Sequence, residues 1–445
     1  MSLKIAFVSL GCDKNLVDSE IMLGIINENG YTIIDDEYLA DIIIINTCGF
    51  ILDATQEGID NVLQLASYKK EGKCKGLIVT GCMVQRYKEE LFKELPEVDA
   101  VLGTSDFEEI ANVIKRVEKG EKVSIVSDGN KELSETSAHK RMITTPPHFS
   151  FLKIAEGCDN RCTYCIIPYL RGDYRSRTIE SLVQEAKILV EKGVRELVLV
   201  AQDTALYGKD IYGKPSLHIL LKKLSSIEEL KWIRILYAYP EHIDNNLIEE
   251  IKINDKVLKY LDMPVQHSED KILKRMARRS NRKSLVDLIS NIRKEIPEII
   301  FRTTIIVGFP DESEEDFEGL INFIEEVQFD KVGVFTYSQE DGTPAATFDN
   351  QIDEDVKIER KDKLMQVQTH ISARKMENHI GKELEIVVDG YMSDEEVFVG
   401  RGYMDTYEID GLVFFKADYE ILSGTFVKVK ITGASDYDLT GDLIG

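Results

Sequence analysis

Three cysteines, Cys158, Cys162 and Cys165, lie within eight residues in the pattern C-x3-C-x2-C. Gly157 precedes the first thiol, where a residue without a side chain allows a sharp turn. Three thiolates on one short loop can bind three irons of a cubic iron–sulfur cluster and leave the fourth iron open. A structural zinc site prefers four closed ligands, and three cysteines cannot all form disulfides with one another. The spacing therefore predicts a cluster, with zinc or a disulfide as the alternatives.

A second set of cysteines, Cys12, Cys48 and Cys82, is spread over the first part of the chain at intervals of 36 and 34 residues. Each thiol follows an apolar run after one or two further residues, and these runs are 3–10, 41–45 and 76–80. Uniformly apolar runs are typical of parallel strands buried on both faces. Helical patterns follow the runs, at 18–30, 53–70 and 86–95. Alternating strands and helices predict a doubly wound α/β domain.

The carboxyl ends of parallel strands meet at one edge of a sheet, so the three thiols of this second set are predicted to converge. A single cysteine after a buried strand is more often a small core residue. Three cysteines at equivalent points of successive units favour a shared ligand site instead. Cys74, between Lys73 and Lys75, does not share that position and is predicted to have no role.

The middle of the chain again alternates between strand and helix patterns. The strand candidates are 151–155, 196–201, 232–237, 259–263, 301–307 and 331–336. Six such units predict a partial (βα)6 barrel with its chemistry at the carboxyl ends of the strands. The basic run Lys274–Arg279 could contact a substrate, but a solvated helix face is the favoured interpretation.

The last part of the chain changes to short strand patterns with turn signals between them. These patterns are 384–388, 397–402, 411–415 and 426–432. They predict a small antiparallel β-barrel of the OB type with five strands. Residues 375–445 hold six Lys and Arg against fifteen Asp and Glu, so this barrel would repel a nucleic-acid backbone.

The whole chain has 445 residues, 43% of them hydrophobic, and a formal net charge of −24. We expect an N-terminal α/β domain at 1–126, a linker at 127–150, a barrel at 151–374 and the small barrel at 375–445. No run of 18 apolar residues and no signal peptide pattern is evident, which predicts a cytoplasmic protein without membrane contact. The net charge argues against a general nucleic-acid binder and favours a basic partner.

The cysteine loop, including Tyr164 before its third cysteine, resembles that of the radical S-adenosylmethionine (SAM) enzymes. The resemblance implies that the open iron of a 4Fe-4S cluster binds the amino and carboxylate groups of SAM. It also implies that one electron cleaves SAM to methionine and a 5′-deoxyadenosyl radical. The family's cofactor contacts would fall at Tyr164, Gln202, Asp203, Gln266 and Gly308.

The first 86 residues carry a second resemblance, to the N-terminal domain of radical SAM methylthiotransferases. It rests on three segments, Gly11–Asn15, Asn46–Cys48 and Gly81–Arg86. It implies that the second cysteine set binds an auxiliary 4Fe-4S cluster, which makes two 4Fe-4S clusters in all, and that the last domain is a TRAM domain.

The methylthiotransferase family has two main branches, which modify an adenosine in transfer RNA or an aspartate of small-subunit ribosomal protein S-twelve. The acidic last domain and the segments 201–204, 260–267 and 400–411 resemble the protein-modifying branch. Thr406 and Tyr407 depart from the small Ala-Pro pair expected there. The resemblance implies a methylthiotransferase acting on the aspartate β-carbon of basic ribosomal protein S-twelve, free or on the subunit. Transfer RNA is the alternative. We further expect a separate electron donor, no sequence-specific nucleic-acid binding and a monomer.

Overall fold

A computed structural model describes residues 2–131 and 140–444. The N-terminal domain contains a six-stranded sheet in which all neighbours are parallel, in the order β2-β1-β3-β4-β5-β6. Its strands are β1 Lys4–Ser9, β2 Thr32–Ile33, β3 Ile42–Thr47, β4 Gly76–Gly81, β5 Ala100–Leu102 and β6 Val123–Ile125. Every residue of β3 and β4 is buried, as the uniformly apolar runs predict. The predicted doubly wound domain is confirmed.

Helices follow the strands of this sheet. They are α1 Asp13–Glu28, α2 Leu52–Ala66, α3 Tyr68–Glu71, α4 Cys82–Tyr87, α5 Glu90–Glu94 and α6 Ile110–Val117. The first of them begins directly after Cys12, five residues earlier than the apolar pattern predicts. Polar residues such as Asn15, Asp18 and Glu20 are buried on α1, because this helix also packs against the middle domain. A hydrophobic pattern does not predict a helix that is buried on its polar side.

The middle domain contains six parallel strands that neighbour one another in chain order and form an open sheet, here called the half-barrel. Its strands are β7 Phe149–Lys153, β10 Glu196–Val200, β11 Trp232–Ile235, β12 Val257–Asp262, β13 Ile300–Val307 and β14 Lys331–Thr336. A separate ribbon is formed by β8 Ala155–Glu156 and β9 Arg175–Ser176. The predicted partial (βα)6 barrel is confirmed.

The helices of the middle domain are α7 Ile167–Arg171, α8 Ile179–Glu191, α9 Lys209–Tyr212, α10 Leu217–Ser225, α11 Asn245–Ile253, α12 Asp270–Arg275, α13 Arg282–Glu295, α14 Glu314–Val327 and α15 Glu354–Glu377. All of these except α7 and α9 contribute to one apolar cluster with the strands, on the outer face of the half-barrel. Several begin at side-chain caps: Thr178 accepts from Ser181, and Asn281 and Ser313 each form a capping box. Helix α15 continues across residues 374 and 375 and leads into the last domain.

The last domain is a closed five-stranded barrel in the order β15-β16-β17-β19-β18. Its strands are β15 Glu383–Met392, β16 Val397–Arg401, β17 Val413–Lys416, β18 Phe426–Ala434 and β19 Leu439–Leu443. Four neighbouring pairs are antiparallel, and the pair β17–β19 is parallel. Strand β19, which the sequence patterns do not locate, closes the OB-type barrel. Within the described ranges no helix is long and apolar enough to cross a membrane.

The inner face of the half-barrel packs against both other domains. Val198 and Trp232 of this face share one apolar cluster with Val387 of the small barrel and with Val17 and Ile21 of α1.

Residues 132–139 of the predicted linker lie outside the described residues. Arg141, later in the linker, is fully buried. Its Nη1 donates a hydrogen bond to the Phe151 carbonyl oxygen at 2.6 Å.

Buried ion pairs join the half-barrel to the small barrel. The carboxylate of Glu196 accepts from Arg234 Nε and from Arg401 Nη1, each at 2.8 Å. Arg401 also contacts Asp389 at 2.8 Å, and these four side chains are at most 8% exposed. Breaking such a network leaves a buried charge without compensation, which is strongly destabilising. Glu196 therefore holds the two domains together.

We predict that Glu196→Gln lowers the stability of the folded chain by about 3 kcal/mol, because it leaves two buried guanidinium groups short of negative charge. The urea midpoint followed by circular dichroism measures this loss. Asp287→Asn is the control, since Asp287 pairs with Lys283 on an exposed helix face and should leave the midpoint unchanged. Equal midpoints for both variants would contradict the prediction.

Candidate functional site

The first cysteine set lies on a loop, residues 157–174, that the ribbon of β8 and β9 closes at its base. Within it the Cys158 amide donates to the Gly172 carbonyl oxygen at 3.1 Å. Gly157 has φ +80°, and a side-chain carbon there would lie 2.0 Å from the backbone oxygen of Asp173. The loop can turn toward its first thiol only because residue 157 is glycine. We call this segment the cysteine loop.

The thiols of the cysteine loop have the donor chemistry of a cluster site. Cys158 and Cys162 are buried, Cys165 is partly exposed, and all seven cysteines of the chain are free. Burial raises the pKa of Cys158 to about 12, to which neighbouring Cys162 contributes, and burial also raises the pKa of Cys165. Such thiols keep their protons until a metal binds and replaces them. Three thiols on one loop without a fourth fit a cluster with one open iron.

Asp203, predicted to contact the cofactor, supports the cysteine loop. Its fully buried carboxylate accepts from Asn160 Nδ2 at 3.0 Å and lies 2.6 Å from Nδ1 of His242. The structure thus places Asp203 beside the predicted cluster site, with its oxygens already engaged by protein groups.

Gln202 presents a free acceptor at the same place. Its Nε2 donates to Glu156 Oε1 at 3.0 Å, and its own buried Oε1 has no hydrogen-bond partner. Burial alone would raise the pKa of Glu156, but Arg171 and Lys153 beside it hold that pKa well below its usual range. A carboxylate can only accept, so it fixes the amide of Gln202 with Nε2 toward Glu156. The remaining oxygen suits an ammonium group such as that of SAM.

Gln266 also combines an unusual backbone with an unsatisfied oxygen. Its φ is +70°, a left-handed conformation that is costly for a residue with a side chain. Its buried Oε1 has no partner. Strain and an unpaired buried acceptor both occur preferentially at binding sites. These observations fit the predicted cofactor contact.

Gly308 and Tyr164 have contacts within the protein. Gly308 has φ +71°, its amide donates to Glu312 Oε2 at 2.8 Å, and a side-chain carbon there would lie 2.2 Å from Cγ of Lys357. Tyr164 packs against a small apolar cluster that includes Phe309. Their contacts with SAM stay predictions.

The second cysteine set lies at the carboxyl ends of the N-terminal strands, as predicted. Cys12 precedes α1, Cys48 lies between β3 and α2, and Cys82 begins α4. A side-chain carbon at Gly11 would lie 3.2 Å from Cβ of Cys48. One at Gly49 would lie 2.8 Å from the backbone carbonyl carbon of Cys82. The strand ends therefore bring the three cysteine segments into close approach.

The electrostatic environment of Cys82 suits a bound cluster. Burial raises the pKa of Cys82 to about 11, Arg171 opposes this shift, and the thiols of Cys12 and Cys48 add to it. Within residues 2–131 and 140–444, no group of three His, Cys, Asp or Glu side chains is placed to hold a single metal ion. A cubic cluster makes a different demand, since each thiolate binds a separate iron.

The two cysteine sets are neighbours across the domain interface. Nη2 of Arg171, on α7, lies 3.5 Å from Sγ of Cys82. Nη1 of the same side chain donates to Asp18 of α1 at 3.0 Å and to Glu156 at 2.9 Å. Cys82 also packs in one apolar cluster with Ile166, the residue after Cys165. Arg171, itself a residue of the cysteine loop, thus links this loop to the segment of Cys82.

The loop after β11 lies between the two sets. Lys14 Nζ, two residues beyond Cys12, is 3.6 Å from the ring centroid of Tyr237. Two residues further along this loop, the hydroxyl of Tyr239 is 2.7 Å from Sγ of Cys162. Both sets therefore lie at the carboxyl end of the half-barrel.

The opposite edge of the half-barrel also contacts the N-terminal domain. Arg86 Nη1 pairs with Glu340 Oε2 at 2.7 Å and also donates to the Gly49 carbonyl oxygen at 3.1 Å. The Leu52 amide donates to the other oxygen of Glu340 at 2.9 Å. Since Glu340 follows β14 and Asp18 contacts the β7 side, the N-terminal domain spans the opening of the half-barrel.

Sequence reasoning missed three residues of this site, Arg171, Tyr239 and Arg278. Arg278 belongs to the basic run predicted to be a solvated helix face. This prediction is wrong for Arg278, which is 6% exposed, with its guanidinium 3.8 Å from the ring centroid of Tyr239. Arg171 could have been noticed in the sequence, because it places a charge directly after the apolar run 166–170. Tyr239 gave no signal.

Comparisons with known proteins agree with these three domains. Residues 4–103 match the family described as Uncharacterized protein family UPF0004, and residues 152–324 match the Radical SAM superfamily. Residues 380–444 match the TRAM domain. The half-barrel and its cysteine loop thus belong to a radical SAM enzyme, a class that uses a 4Fe-4S cluster and SAM.

Curated relatives over the full length define the family more closely. A protein named ribosomal protein uS12 methylthiotransferase RimO, from Lachnoclostridium phytofermentans, is 51% identical over 439 residues, covering 99% of each chain. Its namesake from Clostridioides difficile is 50% identical over 442 residues, again covering 99% of each chain. This chain belongs to the RimO methylthiotransferase family.

Solved structures support the fold. The radical SAM methyltransferase TsrM from Kitasatospora setae, with cobalamin and a 4Fe-4S cluster bound, superposes with a TM-score of 0.57 at 11% identity. That match covers 78% of this chain and 74% of TsrM. The cobalamin-dependent radical enzyme OxsB gives 0.53 at 13% identity, covering 83% of this chain and 56% of OxsB. At these identities the similarity concerns the fold alone.

We predict that Gly157→Ala removes most of the iron and sulfide bound at the cysteine loop, because the added carbon collides with the Asp173 backbone and displaces this loop. Iron and sulfide assays on anaerobically reconstituted protein measure this. Gly213→Ala is the matched control, with φ +76° but nothing within 4 Å of the added carbon. A Gly157→Ala protein with the full iron content would contradict the assignment.

Proposed function

We propose that this chain attaches a methylthio group to the β-carbon of an aspartate in small-subunit ribosomal protein uS12. The observation that supports the proposal most strongly is the contact of Arg171 with both Cys82 and the Glu156 carboxylate beside the cysteine loop. Two three-cysteine sets at one domain interface suit a reaction that needs a radical and a sulfur donor together. The full-length relatives carry the name of this activity.

In this proposal the chain binds two 4Fe-4S clusters. Cys158, Cys162 and Cys165 hold the cluster that cleaves SAM, and Cys12, Cys48 and Cys82 hold the auxiliary cluster. The free oxygens of Gln202 and Gln266 receive hydrogen bonds from SAM. Asp203 orders the cysteine loop, while Tyr164 and Gly308 shape the walls of the SAM site. The domains are taken as 1–126, 151–374 and 375–445, with the linker 127–150.

The reaction consumes two SAM molecules. One gives its methyl group to a sulfur atom and leaves as S-adenosylhomocysteine. The other accepts one electron and yields methionine and a 5′-deoxyadenosyl radical, which takes a hydrogen atom from the aspartate β-carbon. The resulting carbon radical would form its bond to the methylated sulfur and would release one electron. Clusters held by the two cysteine sets would supply the electron for SAM cleavage, would take up the released electron and would carry the sulfur.

The protein's part is to bring the reactants together and to keep water out. The described interface between the cysteine sets is buried: Arg171, Asp18 and Glu156 are each at most 5% exposed. Closely held partners react far faster than free ones, and a carbon radical must meet its sulfur before any other group. The contacts at both edges of the half-barrel serve this purpose.

The charge of the chain favours a protein substrate over RNA. The few cations of the small barrel are partly used within the protein: Arg401 pairs with Glu196 and Asp389, and Lys375 pairs with Asp330 at 2.6 Å. The remaining surface is strongly acidic, which attracts a basic ribosomal protein and repels a phosphate backbone.

The reaction also requires a separate low-potential one-electron donor. We propose that the protein acts as a monomer in the cytoplasm.

We predict about eight irons per chain for the anaerobically reconstituted protein and about four when Cys158, Cys162 and Cys165 are all replaced by alanine. The reason is that each cysteine set holds its own four-iron cluster. Iron and sulfide analysis measures both values. About four irons falling to none would show that the second cysteine set binds no cluster.

We predict that Cys158→Ala abolishes SAM cleavage, whereas Cys12→Ala cleaves SAM but no longer methylthiolates uS12. The assay combines holoenzyme, SAM, sulfide and a strong reductant with uS12 or with transfer RNA. It follows 5′-deoxyadenosine by chromatography and the modified product by mass spectrometry. Cys74→Ala is the control, since Cys74 is a buried cysteine outside both sets and should keep both activities.

Two results of this assay would overturn the proposal. Full methylthiolation by Cys12→Ala would remove the auxiliary role of the second set. A methylthio group on transfer RNA, with none on uS12, would establish the alternative substrate.

A further inference from the structure

The hydroxyl of Tyr239 lies 2.7 Å from Sγ of Cys162. Tyr239 belongs to the loop after β11, and its ring is inclined by 25° to that of His242, with the centroids 6.2 Å apart. His242 is in turn fixed by Asp203, which also receives the hydrogen bond of Asn160 in the cysteine loop. The position of the hydroxyl relative to the thiol is therefore set by two neighbouring contacts.

A buried cation lies against the other side of this tyrosine. The guanidinium of Arg278 is 3.8 Å from the ring centroid of Tyr239 and is 6% exposed as a residue. Its Nη2 donates to the Pro264 carbonyl oxygen at 2.8 Å and lies 3.3 Å from a carboxylate oxygen of Glu241. Its Nε and Nη1 have no hydrogen-bond partner. Glu241 offsets part of this charge, and the two unused donors leave the cation able to stabilise further negative charge at the Cys162 sulfur.

We propose that Tyr239 is a positioning residue that donates a hydrogen bond to the Cys162 thiolate, and that Arg278 adds positive charge behind it. Together they raise the reduction potential of the cluster on the cysteine loop. This inference rests on the proposed function, which places a cluster at Cys158, Cys162 and Cys165. It goes beyond that function by naming residues that control electron transfer to the site.

The direction of the hydrogen bond follows from chemistry. A cysteine bound to iron has lost its proton, so its sulfur can only accept, and the tyrosine hydroxyl must donate. Reduction adds one negative charge to the cluster. A hydrogen bond to sulfur and a nearby cation in a site of low dielectric constant stabilise the reduced form more than the oxidised form. An external one-electron donor supplies the electron, and no covalent bond is made or broken.

The test is the midpoint potential of the cluster on the cysteine loop, measured by an EPR-monitored redox titration of the holoenzyme. The signal of this cluster is identified by its loss in Cys162→Ala, so the identification does not depend on SAM. Tyr239→Phe should keep the iron content and shift the midpoint to a more negative value. Arg278→Gln should shift it in the same direction.

Tyr207→Phe is the matched control. Tyr207 is a fully buried tyrosine of the same domain, and its hydroxyl donates to the backbone oxygen of Arg177 at 2.8 Å rather than to a sulfur. Its loss should leave the midpoint unchanged. An unchanged midpoint in Tyr239→Phe with full iron content would overturn the proposal, because a residue with only a structural role would not move the potential.

A second variant decides the matter if Tyr239→Phe loses the cluster. Fluorotyrosine at position 239 keeps the ring and the hydroxyl but donates a stronger hydrogen bond, so the midpoint should become less negative. No shift would contradict the proposal. The addition of SAM tests the proposed function separately. If SAM does not change the EPR signal that is lost in Cys162→Ala, this result counts against the proposed function and not against the role of Tyr239.

Discussion

The buried guanidinium of Arg171 is the contact on which the arrangement of the two cysteine sets depends. Removing a charge from water costs several kcal/mol, and only well-placed partners offset this cost. Arg171 finds such partners in both domains, with Asp18 on one side, Glu156 on the other and the Cys82 sulfur beside them. A small displacement between the domains would break its contacts with Asp18 and Cys82 and leave Glu156 as its remaining carboxylate partner. The interface therefore has one favoured geometry, in which Cys82 lies close to the cysteine loop.

The remaining contacts of the half-barrel reinforce that geometry. The N-terminal domain reaches both edges of the opening, through Asp18 on one side and through Arg86 and Glu340 on the other. The small barrel fills the inner face and is held there by Glu196 and Arg401. All three domains therefore stabilise one interior. Such a closed interior suits radical chemistry, in which an exposed intermediate would react with solvent or with the protein itself.

Much of this structure could be predicted from local sequence patterns, because buried parallel strands are recognisable apolar runs that end at a chemically distinct residue. The second cysteine set and the six strands of the half-barrel were predicted in this way, whereas the first set was predicted from its C-x3-C-x2-C spacing. The interface was not predictable, because its ion pairs join residues far apart in the chain. The pair of Lys14 with Tyr237 and the inward position of Arg278 leave no periodic signal. Strand β19 was also missed, since Gly441 and Asp442, two residue types that are rare in strands, lie inside it.

We propose that the two cysteine sets hold clusters that face one another across this interface. The most direct measurement is the EPR spectrum of the fully reduced holoenzyme, compared with the sum of the spectra from variants that retain one cluster each. Spins in a shared cavity interact, so we predict additional splitting or broadening and faster relaxation in the two-cluster protein. A spectrum equal to the simple sum would contradict the claim and would place the two cysteine sets in separate sites.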